Sequence, residues 1–373
     1  MAAPFAIADD VALAGLTTLE LGGPARHVVV AADETTVAAA VAWTADRGLP
    51  LLILGGGSNV VAGDAGFDGV VLRMALRGLR FQPAGDRVLV HAAAGEPWDD
   101  LVGQAVARGL AGVECLAGIP GLVGATPIQN VGAYGQEVAE TIHAVRAHER
   151  ATGQVVELPP GACGFGYRDS RFKRQPDAYV VLGVTFALSP GVVPPVRYAE
   201  LAAAIAGRAG GRPLTLADIS ATVRMLRRKK SMVIDAADPN RRSVGSFFTN
   251  PLVSPAVADA AAARAVAAGV ARATAEMPRF PGAEGAVKLS AGWLIEHAGF
   301  AKGWRRGPVG LSTNHALALV HHGGGSARDL IALARDIRDA VARRFGVILI
   351  PEPVLSGGSW ERELGDAGEI AGG

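Results

Sequence analysis

The sequence predicts an α+β protein built from more than one domain. Three observations carry that reading. The chain has 373 residues, half of them hydrophobic and 19% charged, which suits two or three packed cores and argues against disorder. Its strands are short and mixed with helices of uneven length. Only one strand–helix–strand unit is clear, so the regular alternation of a doubly wound sheet is missing.

That unit is "ARHVVVAADETTVAAAVAWTADRGLPLLILGGGSNVV". His27–Ala31 is β-branched and reads as a buried strand. Asp33 to Thr35 supply cap candidates for an Ala/Val-rich helix that ends at Gly48. Leu51–Leu54 is a second strand, running straight into Gly55, Gly56, Gly57, Ser58 and Asn59. "GVVLRMALRGLRFQP" and "RVLVHAAAG" are β-rich, and a helix is expected from Glu96 to Arg108. A long glycine-rich segment follows, "GLAGVECLAGIPGLVGATPIQNVGAYGQEVAE". Strands around Thr141–Glu149 and Ala178–Leu188 flank "GFGYRDSRFK". Pro190–Pro195 is an excursion, and "VRYAEL" leads into helix. Thr215 and Asp218 form a capping box for a helix ending near Lys229.

After "SFFTNP" an alanine-rich helix is expected from about Ala256 to Glu276. "KLSAGWLIEHAGF" reads as an amphipathic helix closed by Gly299. Ser326 and Asp329 cap a long helix ending before Gly346, and "VILIPEPVL" closes the fold as a strand. The tail from Ser356 is expected to be disordered.

The bulk numbers exclude several classes. A net charge of +1 gives no footprint for nucleic acid or an anionic membrane. Two cysteines without CxxC spacing argue against a disulfide framework or a thiolate metal site, and no metal is expected. The start, "MAAPFAIADDVALAGLTT", has no basic n-region, and no apolar run is long enough to span a membrane. A reducing cytoplasm is the expected location. The dinucleotide fingerprint GxGxxG and a P-loop lysine are both absent.

Some stretches could carry chemistry. Gly55, Gly56 and Gly57 let backbone N–H groups face an anion, and Ser58 and Asn59 add hydrogen-bonding groups. Alone, the stretch reads equally well as a tight turn. "GIPGLVGATPIQNVGAYG" is different in kind. It is long, nearly uncharged and rich in glycine, with Gln129 and Asn130 as amide handles. Such a surface suits a flat ring cofactor, and structureless loops of that length are uncommon without function. "GYRDSRFK" offers Tyr167, Arg168, Arg171 and Lys173, which read as a solvated basic face or as a carboxylate grip through Arg168. Arg227 to Lys230 close a helix, where cations are favoured anyway; a pyrophosphate site is the functional alternative. Tyr198 is a packing anchor or a stacking group. Glu352, between prolines, is an edge charge or a desolvated acid whose pKa burial would raise. Ser246 precedes two phenylalanines with no His or acid beside it. His297 is by default a helix histidine of the core or surface.

Taken together, "LGGGSNVV", "GIPGLVGATPIQNVGAYGQE", "YRDSRFK", "GSFFTNP", "KLSAGWLIE" and "PEPV" occur in the order seen in the UDP-N-acetylenolpyruvoylglucosamine reductases. The resemblance runs from about Thr17 to Leu355, and "VRYAEL" resembles the tyrosine-bearing loop of one subclass. It implies a vanillyl-alcohol-oxidase/PCMH-like FAD-binding fold of two subdomains plus a C-terminal α+β substrate-binding domain. The expected boundaries are 1–78 and 79–230 for the flavin subdomains, the second completed by 347–355. The substrate domain is 231–346, and the tail is 356–373. Non-covalent FAD, NADPH and a UDP-sugar are the implied ligands.

The resemblance further implies roles for single residues. Arg168 and Glu352 would stabilise an enediolate, and Ser246 would protonate the neighbouring carbanion. Gly55, Gly56, Gly57, Ser58, Asn59, Gly118, Ile119, Pro120, Gly121, Gly124, Ala125, Gln129, Asn130 and Gly132 would line FAD. Tyr167, Tyr198, Lys230, Asn250 and His297 would meet the substrate. Two departures stand out. The linker "SMVIDAADPNRR" replaces a short Leu-Pro-Asp-Pro and loosens the alignment of the basic cluster, in which Lys230 is assigned rather than Lys229. His297 stands where the family often has glutamine. An oxidase of the same flavin fold and a non-catalytic nucleotide-sugar-binding protein are the competing readings; the trio Arg168, Ser246 and Glu352 favours the reductase.

Overall fold

The computed structural model describes residues 3–206 and 213–365. The chain divides into two compact units. One comprises Met1–Val11, Ala25–Gly56 and Asp68–Ile234; the other comprises Ala12–Pro24, Gly57–Phe67 and Asp235–Gly373.

The first unit is built on two sheets. Ala8–Ala12, Pro24–Ala31, Phe67–Met74 and Leu51–Leu54 lie side by side in that order, with Leu51 opposite Val70 in a parallel pair. The helix Glu34–Ala45 crosses between two of these strands, and the Asp33 side chain caps it by accepting from the Thr36 N–H at 2.7 Å. The larger sheet orders Val155–Leu158, Ile142–Glu149, Tyr179–Pro190, Arg87–Ala93 and Leu79–Ala84, all antiparallel. The helices Trp98–Ala107 and Leu216–Lys229 contribute to the same core. Trp98 is buried there against Phe186, and its indole N–H is satisfied by the Leu116 carbonyl at 3.1 Å.

The second unit packs the helices Pro255–Ala267 and Ala327–Phe345 with small sheets. Leu252–Val253, Val287–Leu289 and Arg279–Pro281 form one; Arg305–Arg306, Val309–Leu311 and Leu319–His321 form another. The expected box at Ser326 and Asp329 is present, and Gly346 ends the long helix at φ 69°. Asp64, from the short inserted strip, also accepts from the N–H groups of Ala327 and Arg328. Its negative charge thus meets the positive end of the helix dipole.

Several expectations need correction. The alanine-rich helix stops at Ala267, because Gly269 turns the chain left-handed at φ 69°; only a 3₁₀ turn at Thr274–Glu276 follows. "KLSAGWLIEHAGF" is a strand, Val287–Leu289, and then a helix, Ala291–His297; the Ser290 hydroxyl starts that helix by accepting from the Trp293 N–H. The closing strand shrinks to Val354–Ser356, since Pro351 and Pro353 have no N–H to extend a ladder. The tail does not begin at Ser356. Ser356 is buried in a parallel pair with Ala62, and Trp360–Leu364 is helical. The rest of the expected tail, 366–373, lies outside the described residues. Residues 347–355, expected to complete the second flavin subdomain, belong with the second unit, where Val347 and Leu349 enter its core.

A turn at Thr17–Leu21 organises the second unit. Glu20 sits at φ 53°, and its carboxylate accepts from both Arg241 and Arg242. Burial alone would raise the Glu20 carboxyl, but the two guanidiniums outweigh it and hold it below its ordinary 4.5. The fold therefore favours the ionised form. That contribution is present above pH 4.5 and is lost as pH falls through the lower folded value. Glu20→Gln should accordingly lower Tm at pH 7, with the gap to wild type closing below pH ~4.5. A gap that stays constant from neutral pH down to about 3 in thermal melts would reject this account.

Candidate active site

In the first unit the two glycine stretches approach each other backbone to backbone. A Cβ on Gly56 would lie 3.3 Å from the Gly121 Cα, and one on Gly55 would touch the Leu122 side chain. The second stretch is pinned from behind. Trp98 N–H donates to the Gly121 carbonyl at 3.1 Å, Val123 N–H to Glu96 at 2.9 Å, and Gly124 N–H to Ala94 at 2.9 Å. Gly56 itself is exposed. A close-packed, nearly uncharged backbone path of this kind fits a flat ring with a pyrophosphate, so the residues present suit FAD. Gly118, Ile119, Pro120, Gly121, Gly124 and Ala125 lie on this path with Gly55 and Gly56. Gly57, Ser58 and Asn59 fall in the second unit.

Arg168 is held by geometry that no single motif states. Its backbone is left-handed at φ 54°, its Nη2 donates to the Gly132 carbonyl at 2.6 Å, and its own carbonyl accepts from Lys173 Nζ at 2.8 Å. The guanidinium carbon lies 5.5 Å from the Tyr167 ring centroid. Gly132 is required here: a Cβ would sit 2.8 Å from the Glu137 side chain and 3.1 Å from Arg168 Nη1. Asn130, 1% exposed and at φ 45°, spends its amide within the chain. Its Nδ2 donates to Glu137 at 2.7 Å and to the Gly166 carbonyl at 2.9 Å, while its Oδ1 accepts from the Ala139 N–H at 3.1 Å. It therefore ties the glycine segment to the Arg168 loop. Asparagine tolerates that backbone better than other residues with a side chain.

Lys230 caps the helix Leu216–Lys229, and its Nζ lies 2.6 Å from Glu200. Tyr198 is 45% exposed and meets Tyr134 edge-on at 5.4 Å. Of two groups near them, Tyr134 is not singled out by sequence, and Arg227 is read there only as part of the basic helix end. Arg227 is buried, which pulls its pKa down to about 10, although Tyr134 and Asp99 oppose the shift. Its Nη2 donates to the Met232 carbonyl at 2.6 Å. Tyr134 stands at φ 50° with its phenol pushed up to about 12, chiefly by burial. A signal for Arg227 existed. It lies on the apolar stripe of its helix with Ile219, Val223 and Leu226, not on the polar face with its basic neighbours.

In the second unit the segment before Ser246 is anchored repeatedly. Thr18 Oγ1 donates to the Ser243 carbonyl at 2.7 Å, and the Thr18 N–H donates to Gly57 at 3.1 Å. After the serine, Phe247 N–H donates to Leu317 at 2.7 Å. The Phe247 carbonyl accepts from the Glu352 N–H at 2.8 Å, and Thr249 N–H donates to Ile350 at 3.0 Å. Ser246 and Glu352 are thereby brought onto adjoining backbone. The Glu352 carbonyl also accepts from Asn59 Nδ2 at 3.5 Å. Asn250 Oδ1 accepts from the Ala291 N–H at 3.0 Å, which orients its amide. His297 stacks on Trp293 at 3.8 Å and hydrogen-bonds through Nδ1 to the Trp293 carbonyl, so the ring is locked to its own helix.

Residues 25–159 match the family described as FAD binding domain, and residues 238–356 match the UDP-N-acetylenolpyruvoylglucosamine reductase C-terminal domain. The UDP-N-acetylenolpyruvoylglucosamine reductase of Streptomyces coelicolor is 51% identical over 351 residues, 93% of this chain and 90% of the relative. The chain belongs to the UDP-N-acetylenolpyruvoylglucosamine reductase family. The Nocardia farcinica reductase is also 51% identical, over 94% of this chain and 90% of its own length. The crystal structure of the Thermus caldophilus reductase matches with a TM-score of 0.62 and 25% identity, covering 93% of this chain and 97% of that one. The protein is thus an FAD-dependent oxidoreductase of peptidoglycan precursor synthesis. The α+β flavin-binding fold expected of this reductase family is the one found.

The Asn130 network gives a stability test. Asn130→Ala removes three hydrogen bonds from a buried site and leaves their partners unsatisfied, so it should cost about 3 kcal/mol. Urea unfolding monitored by circular dichroism would measure this, and a loss under about 1 kcal/mol would show the network to be dispensable.

Proposed function

We propose that the protein uses NADPH to reduce the enolpyruvyl group of UDP-N-acetylglucosamine enolpyruvate, giving UDP-N-acetylmuramate. The observation that carries this reading is the pairing of the Phe247 carbonyl with the Glu352 N–H. It brings a hydroxyl and a carboxyl onto adjoining backbone with no histidine needed to activate the serine. Gly55, Gly56 and the Gly118 to Ala125 backbone would hold FAD, which would supply the hydride with NADPH as its source.

The chain's residues then have distinct tasks. Addition of hydride to the terminal enol-ether carbon drives electrons toward the substrate carboxylate, which becomes enediolate-like with two negative charges. Arg168 is the fixed cation for that charge. Glu352, carrying its proton, donates a hydrogen bond to it directly or through water. Fixed donors of this sort are worth about 2.7–4 kcal/mol each in the transition state. Ser246 gives its proton to the α-carbon. A carbanion is basic enough to take it from a hydroxyl that is close and shielded from water.

Lys230 and the oriented amide of Asn250 meet the pyrophosphate. Tyr198, Tyr167 and His297 contact the rest of the nucleotide-sugar. Gln129, Asn59, Ser58 and the glycines line FAD. Asn130 contributes there through the loop that it fixes. We assign the enzyme to the cytoplasm as a monomer; among the described residues no helix is long and apolar enough to cross a membrane, and both cysteines are free and buried.

Separating the half-reactions tests the serine. Ser246→Ala should leave flavin reduction by NADPH near normal and slow anaerobic reoxidation by the enolpyruvyl substrate by about 10²–10⁴-fold. Stopped-flow absorbance reads both. Equal slowing of the two halves would take Ser246 out of the proton-donor role.

A further inference from the structure

The helix Ala199–Ala206 follows Tyr198 directly and carries Glu200 in its first turn. Glu200 Oε2 lies 2.6 Å from Lys230 Nζ. Lys230 Nζ stands 5.8 Å from the Tyr134 ring, and Tyr134 meets Tyr198 edge-on. Glu200 is felt by both phenols. Burial raises each, and the nearby carboxylate adds to the rise. Glu200, Lys230, Tyr134 and Tyr198 are therefore one cluster, in which a carboxylate already neutralises the lysine assigned to the pyrophosphate.

A phosphate oxygen and a carboxylate oxygen compete for the same ammonium charge. We infer that Glu200 is an internal counter-ion which the diphosphate of the nucleotide-sugar must displace from Lys230, so that Glu200 sets substrate affinity and not turnover. The inference rests on the reading of Lys230 as the pyrophosphate contact. Both side chains are about a third exposed, 32% for Lys230 and 40% for Glu200. Solvent-exposed ion pairs are weak, so displacing this one should change affinity only about two- to five-fold.

The experiment measures binding of UDP to the oxidised, FAD-loaded protein by isothermal titration calorimetry. Four proteins are compared: wild type, Glu200→Gln, Lys230→Met and the double variant. Glu200→Gln should tighten UDP binding about two- to five-fold, lowering KM for the nucleotide-sugar with kcat unchanged. Lys230→Met should weaken UDP binding, and in that background Glu200→Gln should have no effect, since the two act as one pair.

Glu140→Gln is the control for simple loss of negative charge. Glu140 pairs instead with Arg197, one residue before Tyr198, at 3.4 Å, and its variant should bind UDP as wild type does. Glu200→Asp, which keeps the charge and alters its reach, should stay nearer to wild type than Glu200→Gln does. The inference fails if Glu200→Gln binds UDP no more tightly than wild type, or if it tightens binding equally without Lys230. A Lys230→Met protein that binds UDP as well as wild type would instead remove Lys230 from the nucleotide site. That is a separate failure, of the reading beneath.

Discussion

The buried amide of Asn130 is the interaction on which the Arg168 loop depends. Arg168 needs a left-handed backbone, which an arginine does not adopt unaided. Asn130 holds the Gly166 carbonyl two residues upstream, and Gly132 accepts the guanidinium itself. Glu137 completes the arrangement by fixing the Asn130 amide. With these bonds made, a flexible side chain becomes a fixed charge. That is the property electrostatic catalysis requires, because a donor that must reorganise during the reaction stabilises the transition state less.

The second unit solves the corresponding problem for a hydroxyl. Ser246 lies in a segment with a bond on each side, from Thr18 to Ser243 and from Phe247 to Leu317 and Glu352. The phenylalanines that follow are both fully buried, so the apolar core sets the position of the segment as much as its hydrogen bonds do. The same unit pairs the Glu20 carboxylate with both arginines just upstream, which offsets one of their two positive charges. In the first unit the basic run at the end of Leu216–Lys229 is treated differently: Arg227 is buried and Lys230 is paired with Glu200.

Much of the fold was legible because its signals are local. Asp33, Thr215 and Ser326 cap helices as their spacing indicates, since an N-cap needs only a side chain within three residues of a free N–H. The strands around the glycine stretches also fall where β-branched runs place them. The misreadings share one cause. The alanine-rich stretch has no polar interruption to mark Ala267 as its end, and only Gly269 does so. "KLSAGWLIEHAGF" changes from strand to helix within an apolar pattern that fits both periods. Ser356 looked like the start of a loose tail, yet it is buried by pairing with Ala62, a partner nearly 300 residues away.

The sequence by itself determined the family and the flavin-binding class, because these are carried by ordered motifs. It also exposed the glycine segments, whose lack of side chains is visible in one dimension. Only the tertiary structure decided how the side chains are held. It made Asn130 a buried brace between segments, separated Arg227 from its basic neighbours, and gave Lys230 a carboxylate partner. Burial and hydrogen bonding between distant segments depend on which parts of the chain meet. A charge run reads the same in sequence whether its members face water, a carbonyl or an acid.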